Sequence, residues 1–240
     1  MRSKRIKRIF LGTSTVLLVA GTSYLLGWSD YLTVRNIEIT GTSSQSIISK
    51  ELAKNNLTLE IDMKLARVDI RAIERVCGDL EWLDTADVKR NWLDRSISIE
   101  VVEKIAVAKA RNSNSEIVNF DNQGKLFSPT SAIQLAQSLK VPLVTSNSND
   151  QNQLLAAAKF LQDLPDESLP LIDDLIGISI TNSGFIFMQT KVVNREVFIN
   201  WGTPSEIPQK SKVLQALIDL PENKKAKRFD LSQPDSPVVS

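Results

Sequence analysis

Carboxylates come closest to a chemical constellation in this chain. Asp173 and Asp174 are neighbours, and Asp62 and Asp121 could each join Asn or backbone oxygens around a calcium ion. A carboxylate pair shares a proton or a cation only when both groups point the same way, and neighbours on extended chain point to opposite sides. No EF-hand spacing surrounds Asp62 or Asp121, so both read as turn residues. The chain contains no histidine, which excludes Ser-His and Cys-His nucleophile pairs and every imidazole metal ligand. Its one cysteine, Cys77, can neither close an internal disulfide nor build a thiolate zinc site, and it lies in a helical apolar pattern that reads as inert core. There is no Ser-x-x-Lys, no G-x-G-x-x-G and no Walker pattern. The expectation is a protein with no catalytic residue, no cofactor and no metal, which works by binding and assembly.

The elements that would position a binding surface begin with a charge asymmetry. The 240 residues carry 29 Lys plus Arg against 28 Asp plus Glu, a net charge of +1. Five of those bases fall in the first eight residues with no acid, which leaves the body mildly acidic and argues against nucleic acid as a partner. Residues 9–28, IFLGTSTVLLVAGTSYLLGW, hold no charge. At about 1.5 Å per residue they span the ~30 Å hydrocarbon core as a helix. Tyr24, Trp28 and Tyr31 sit at the far end, where an aromatic belt belongs. Bases ahead of the span stay cytoplasmic, so the bulk of the protein is expected outside the cytoplasm. A secretory signal would end its apolar region after about 7–15 residues, whereas this one runs on through Leu25, Leu26 and Trp28, so the anchor is expected to be uncleaved.

Beyond the span, Val34 to Gly41 alternates as a strand. Thr42 to Gln45 matches a helix capping box, and Ile47, Ile48 and Leu52 share one face of the helix that follows. A second helix is predicted from Asp69, with Ile70, Ile73, Val76 and Leu80 at its helical spacing, then strands over 86–91 and 96–103. The remainder is richer in strands. Residues 117–120 and 125–127 flank a hairpin turn with Gly124 at the position needing positive φ. Further strands are predicted at 175–181, 185–190, 196–202 and 228–231, with helices around 130–139, 154–164 and 209–220. Thr145 to Gln153 reads as a polar loop, and the tail after Ser232 as frayed chain. Trp82 and Trp92 read as wedges between helices and sheet, and Glu103-Lys104 as an exposed strand end.

In order and wording these motifs resemble the bacterial FtsQ/DivIB cell-division family. The stretch carrying most of the likeness is Leu80-Glu81-Trp82-Leu83, Ala86-Asp87-Val88-Lys89-Arg90, Asn91-Trp92-Leu93, then Ile97 to Val102 and Glu103-Lys104-Ile105-Ala106-Val107-Ala108. The family hairpin appears as Asp121-Asn122-Gln123-Gly124-Lys125-Leu126-Phe127, and its last helix and strand as Lys210 to Leu220 and Phe229-Asp230-Leu231. The departures are Glu81 and Leu93 in place of two family prolines, Lys104 and Ile105 in place of Arg and Pro, and Ser232 in place of a final arginine.

The resemblance implies an α+β protein with a single N-terminal transmembrane helix, a POTRA domain of order β-α-α-β-β and a β-rich domain with a few helices. The expected divisions are a cytoplasmic tail at 1–8, the span at 9–28, the POTRA domain at 33–110, the β-domain at 111–232 and a tail at 233–240. It implies a non-enzymatic scaffold in the plasma membrane at the division septum that binds FtsB (DivIC)-like and FtsL-like membrane proteins and other division components, besides the lipid bilayer. In such proteins the partner adds a strand to the edge formed by the last strand of the β-domain. The matching segment is Lys227, Arg228, Phe229, Asp230, Leu231 and Ser232. A POTRA-type receptor or chaperone of a secretion or envelope-assembly route is the alternative. The outer-membrane assembly proteins of that class repeat POTRA units and end in a long membrane β-barrel, for which the region after Ala110 is unsuited.

Overall fold

The computed structural model describes residues 2–27, 30–146, 150–168, 171, 174–192 and 195–240, and of 2–11, 25–27, 30 and 167 the backbone alone. Two compact units divide between Glu103 and Lys104. The first opens with helix α1, Arg2–Gly27. Thr22 returns its hydroxyl to the carbonyls of Leu18 and Val19 at 2.8 and 3.0 Å, as hydroxyl residues do in apolar helices. Val16, Leu17 and Leu18 are each 67% exposed. Among the described residues no helix is long and apolar enough to cross a membrane. At the ends of the expected span, the side chains of Ile9, Phe10, Leu11, Leu25 and Leu26, and the whole of Trp28, lie outside the described residues.

The rest of the first unit is β1 (Asn36–Thr40), α2 (Gln45–Lys54), α3 (Ile70–Gly78), β2 (Leu83–Asn91) and β3 (Ser96–Glu103). The sheet order is β1-β3-β2, with β1 parallel and β2 antiparallel to the central β3. Alternation decides the register. Ile97, Ile99 and Val101 are buried with Ile48, Leu52, Ile73, Cys77 and Trp82, while Glu100 faces water. The Asp69 side chain caps α3 by accepting from the Ala72 amide at 3.0 Å. Burial pushes the Cys77 thiol up to about 11, so it behaves as core. Two expectations fail here. The Thr42 capping box does not form: the Thr42 hydroxyl accepts from the Ser44 amide, and the Gln45 side chain reaches back to the Ile39 carbonyl. Trp92 is no wedge either. It sits half-exposed in the β2–β3 turn beneath the Arg90 guanidinium, 5.0 Å from its ring centroid.

The described residues of the second unit form two sheets. In one, β4 (Ala108–Arg111), β5 (Ile117–Phe120) and β6 (Leu126–Phe127) form an antiparallel meander. Because β4 pairs with β5, this unit starts ahead of residue 110. The larger sheet contains β7 (Val144–Ser146), β8 (Leu175–Ile180), β9 (Ile186–Val192), β10 (Arg195–Gly202), β11 (Arg228–Asp230) and β12 (Val238–Val239), in the order β12-β11-β10-β9-β8-β7. The helices α4 (Ala132–Lys140), α5 (Gln151–Asp163) and α6 (Ile207–Asp219) accompany the sheets. Phe160 and Trp201 meet edge to face at 5.2 Å in the core, with Phe120, Leu154, Leu214 and Phe229 around them.

Four features depart from expectation. The segment expected as a polar loop contributes β7, parallel to β8. The tail after Ser232 is paired as β12. Lys104 is not an exposed strand end: it is nearly buried, 3.6 Å from the Asp121 carboxylate and over the Phe127 ring. Helix α4 turns its polar side inward. Gln134 is fully buried and donates to the Lys104 carbonyl, and Ser138 donates to Asn119, while Ile133, Leu135 and Leu139 point to water. Of the carboxylates weighed as ligands, Asp173 lies outside the described residues, and Asp121 accepts from the Gln123 and Lys125 amides as a turn residue.

Candidate partner-binding surface

The six segment residues expected to bind a partner lie together on β11 and its flanks, but that strand is not the edge. Its neighbour β10 runs parallel, with Phe198 opposite Arg228 and Asn200 opposite Asp230. The Lys227 carbonyl accepts from the Phe198 amide at 2.8 Å, and the Leu231 amide donates to the Asn200 carbonyl at 2.7 Å. On the other side β12 pairs antiparallel, and Arg228 and Ser240 exchange both main-chain bonds, at 2.9 and 3.1 Å. The main chain of β11 is therefore satisfied on both sides, and the sheet continues one strand further than the sequence suggested.

The side chains of the segment divide by face. Phe229 and Leu231 are both in the core, 1% and 0% exposed, so neither looks outward. Arg228 is exposed and Asp230 half-exposed on the opposite face. Asp230 does local work: its carboxylate accepts from the Ser232 amide at 2.9 Å, the Ser232 hydroxyl at 2.6 Å and the Asn200 amide at 3.0 Å. Burial alone would raise its pKa. The bonds from Ser232 and Asn200 together outweigh that and hold the carboxyl below the usual 3.8. This Asx-type turn swings the chain out of β11, and Ser232 comes to rest on Gly202, where a Cβ would stand 2.8 Å from the Ser232 Cα. The chain then returns through Pro234 and Pro237 to lay down β12.

Beside this end of the sheet the face away from the helices is open. Cross-strand register aligns Thr145, Ser179, Phe187, Asn200, Asp230 and Val238 in one row. The next row runs Gly177, Gln189, Phe198 and Arg228. Together they line a cleft of about 650 Å³. Among the apolar residues that line it, Phe187, Phe198 and Val238 are exposed, and Arg228 supplies a cation. Lys224, Lys225 and Lys227 add exposed positive charge where the chain enters β11.

The sequence reading missed β12, Phe187 and Phe198. For β12 the signal was two adjacent valines after Pro237, too short for an alternation to register. For the phenylalanines it was the parity of β9 and β10: Phe187 and Phe198 fall out of phase with the buried Ile186, Met188, Val197 and Ile199. Among the described residues no group of three or more Cys, Asp or Glu could hold a metal ion.

Comparison with known proteins agrees with this architecture. The family described as "POTRA domain, FtsQ-type" matches residues 32–104. The chain is 22% identical over 245 residues to the cell division protein FtsQ of Streptomyces bingchenggensis (strain BCW-1), covering 99% of this chain and 87% of that protein. It is 23% identical over the same length to the cell division protein FtsQ of Streptomyces coelicolor, covering 97% and 87%. The FtsQ of Streptomyces collinus is 24% identical over 97% of this chain and 87% of its own. Residues 32–104 thus match a POTRA domain of FtsQ type, and along nearly its whole length the chain is similar to FtsQ cell-division proteins.

Proposed function

We propose that the chain is a single-pass, non-enzymatic scaffold of the division apparatus that holds FtsB/FtsL-like membrane proteins at the septum. Residues 1–8 stay in the cytoplasm and 9–28 form the anchor. The part of the first unit from residue 33 to Glu103 acts as the POTRA domain, and the unit from Lys104 onward, β12 included, as the β-domain. The anchor reading is supported by the uncharged stretch of 9–28 and by the exposed apolar side chains of Val16, Leu17 and Leu18.

The observation that carries the partner-binding role is the geometry of β12. Ser240 forms the hydrogen-bonded pair with Arg228, so the N–H and C=O of Val239, one residue away, point away from β11. That is the free edge to which an extended segment adds, and the cleft with Phe187, Phe198 and Val238 lies beside it to receive alternate side chains. Of the six segment residues, Arg228 and Lys227 contribute charge, Asp230 and Ser232 set the turn to β12, and Phe229 and Leu231 fix the strand in the core.

The test uses Val239→Pro in the full-length chain. Proline there removes an outward donor and leaves the bonds to β11 in place. Calorimetry against the extracytoplasmic segment of an FtsB-like protein should show weakened binding with an unchanged circular dichroism spectrum. Higher salt should weaken wild-type binding as the Lys224, Lys225, Lys227 and Arg228 field is screened. A fluorescent fusion of the wild type should band at mid-cell. Full affinity in a folded Val239→Pro chain would remove the edge from the mechanism.

A further inference from the structure

The first unit has a pole at which exposed apolar side chains gather where the chain leaves α1. Leu93, at the tip of the β2–β3 turn, is 93% exposed, and Tyr31 is 78% exposed. The turn is built rather than loose. The Asn91 side chain accepts from the Leu93 and Asp94 amides at 3.0 and 3.1 Å, and its amide donates to the Asp94 carboxylate at 2.6 Å. Arg95 then takes positive φ. Arg90 donates to the Val68 carbonyl and lies over Trp92, so the indole beside Leu93 is fixed as well.

This tip is tied to the exit of α1. The Arg95 guanidinium donates to the Tyr31 carbonyl at 3.2 Å, and the Arg35 amide donates to the Arg95 carbonyl at 2.7 Å. Val34 exchanges main-chain bonds with Met63 and Asp62 at 2.9 and 2.8 Å, which brings up Ile61, also exposed. Tyr31 follows Gly27, the last residue of α1, by four positions. Fully extended chain would carry it about 14 Å, and the 3₁₀ turn at Asp30–Leu32 shortens that. The headgroup layer is about 5–7 Å thick on each side of the hydrocarbon core.

We propose that this pole lies in the membrane interface, with Leu93, Trp92 and Tyr31 inserted among lipid headgroups and a lipid surface as the partner. The inference rests on the reading of residues 9–28 as the anchor. Tryptophan and tyrosine suit that layer because each presents an apolar ring and a polar tip. The bases Arg35, Lys64, Arg90 and Arg95 stand beside the acids Asp30, Glu60, Asp62 and Asp94, so the contact rests on the apolar and aromatic side chains rather than on net charge. The β2–β3 turn thereby acts as a second, shallow contact that holds the first unit against the membrane rather than leaving it to swing on its tether.

The test places a nitroxide, one at a time, at Leu93→Cys, Leu17→Cys and Lys50→Cys in the full-length chain. The chains are reconstituted in vesicles of phosphatidylcholine and phosphatidylglycerol. Cys77 is buried and stays unlabelled. Accessibility to oxygen against a water-soluble nickel chelate gives a depth at each site. The expected result is a positive depth parameter at 93, shifted from a negative one at the exposed α2 position 50. Position 93 as aqueous as 50 while position 17 reads deep would overturn the interface contact and leave the anchor standing. Positions 17 and 93 both aqueous would overturn the anchor and the contact with it.

Discussion

Two hairpins in the second unit are built alike and differ in one respect that can be measured. In one, the Asp121 amide bonds to the Lys125 carbonyl and the Gly124 amide to the Asp121 carbonyl. In the other, Thr181 and Phe185 pair in the same way, with the Gly184 amide bonded to the Thr181 carbonyl. The two glycines share a left-handed backbone, φ +70 at Gly124 and +80 at Gly184. An alanine at either position carries the left-handed penalty, about 1–2 kcal/mol. Nothing lies within 4 Å of a Cβ built at Gly184. At Gly124 it would stand 2.5 Å from the Leu155 nitrogen and 2.6 Å from the Gln151 oxygen, both main-chain atoms of α5. A helix backbone cannot swing aside like the end of a side chain, so relief requires α5 to move, at a further cost of about 1–3 kcal/mol. Gly184→Ala should therefore cost about 1–2 kcal/mol and Gly124→Ala about 2–5 kcal/mol. At roughly 4 °C per kcal/mol for a domain of this size, the two melting temperatures should differ by about 4–12 °C. Thermal melts of both full-length variants, followed by circular dichroism, measure this. Equal melting temperatures would refute the close approach of hairpin and helix and leave backbone angle as the whole role of Gly124.

Ile99→Asp should unfold the first unit: it buries an unpaired carboxylate in the central strand, at a cost of several kcal/mol against a total of about 5–15. Ser98→Asp, on the other face beside Lys89, should stay within about 1 kcal/mol, and urea midpoints that match would show the register to be wrong. Asp230→Asn should cost about 1–2 kcal/mol at neutral pH, allowing for partial exposure. Because the folded carboxyl is held below 3.8, its stabilisation is present above that value and is lost as pH falls through the lowered one. The variant should lack that part of the acid-side decline, and parallel pH profiles of unfolding for the two chains would count against the turn network.

What the sequence made legible was whatever repeats at a fixed period within one element. Strand β3 was readable because Ile97, Ile99 and Val101 alternate with polar neighbours, and α3 because Asp69 and Ile73 stand at cap and core spacing. Helix α4 was found as a helix, yet its orientation was hidden: apolar residues outside and Gln134 and Ser138 inside reverse the usual pattern, and only Lys104 and Asn119, distant in sequence, reveal why. Trp92 was misread because an aromatic's burial depends on what stands opposite it. The second role of Gly124 depends on α5, which no local pattern announces. At the candidate surface, the charged approach and the strand carrying Phe229 and Leu231 were readable. The edge itself was not, because two valines are too few to show a period and their pairing with Phe229 and Asp230 is decided by a turn.

The inverted face of α4 bears on how this helix can detach. Helices that leave a core ordinarily expose apolar surface, and the opening therefore carries a heat-capacity increment and steepens with denaturant. Helix α4 already shows Ile133, Leu135 and Leu139 to solvent, and what holds it down is the set of hydrogen bonds from Gln134 and Ser138. Lifting it therefore exposes less apolar surface of its own than releasing a helix packed by its apolar side. Its opening should depend less steeply on denaturant than the cooperative unfolding of the sheets, and amide exchange in urea measures the difference.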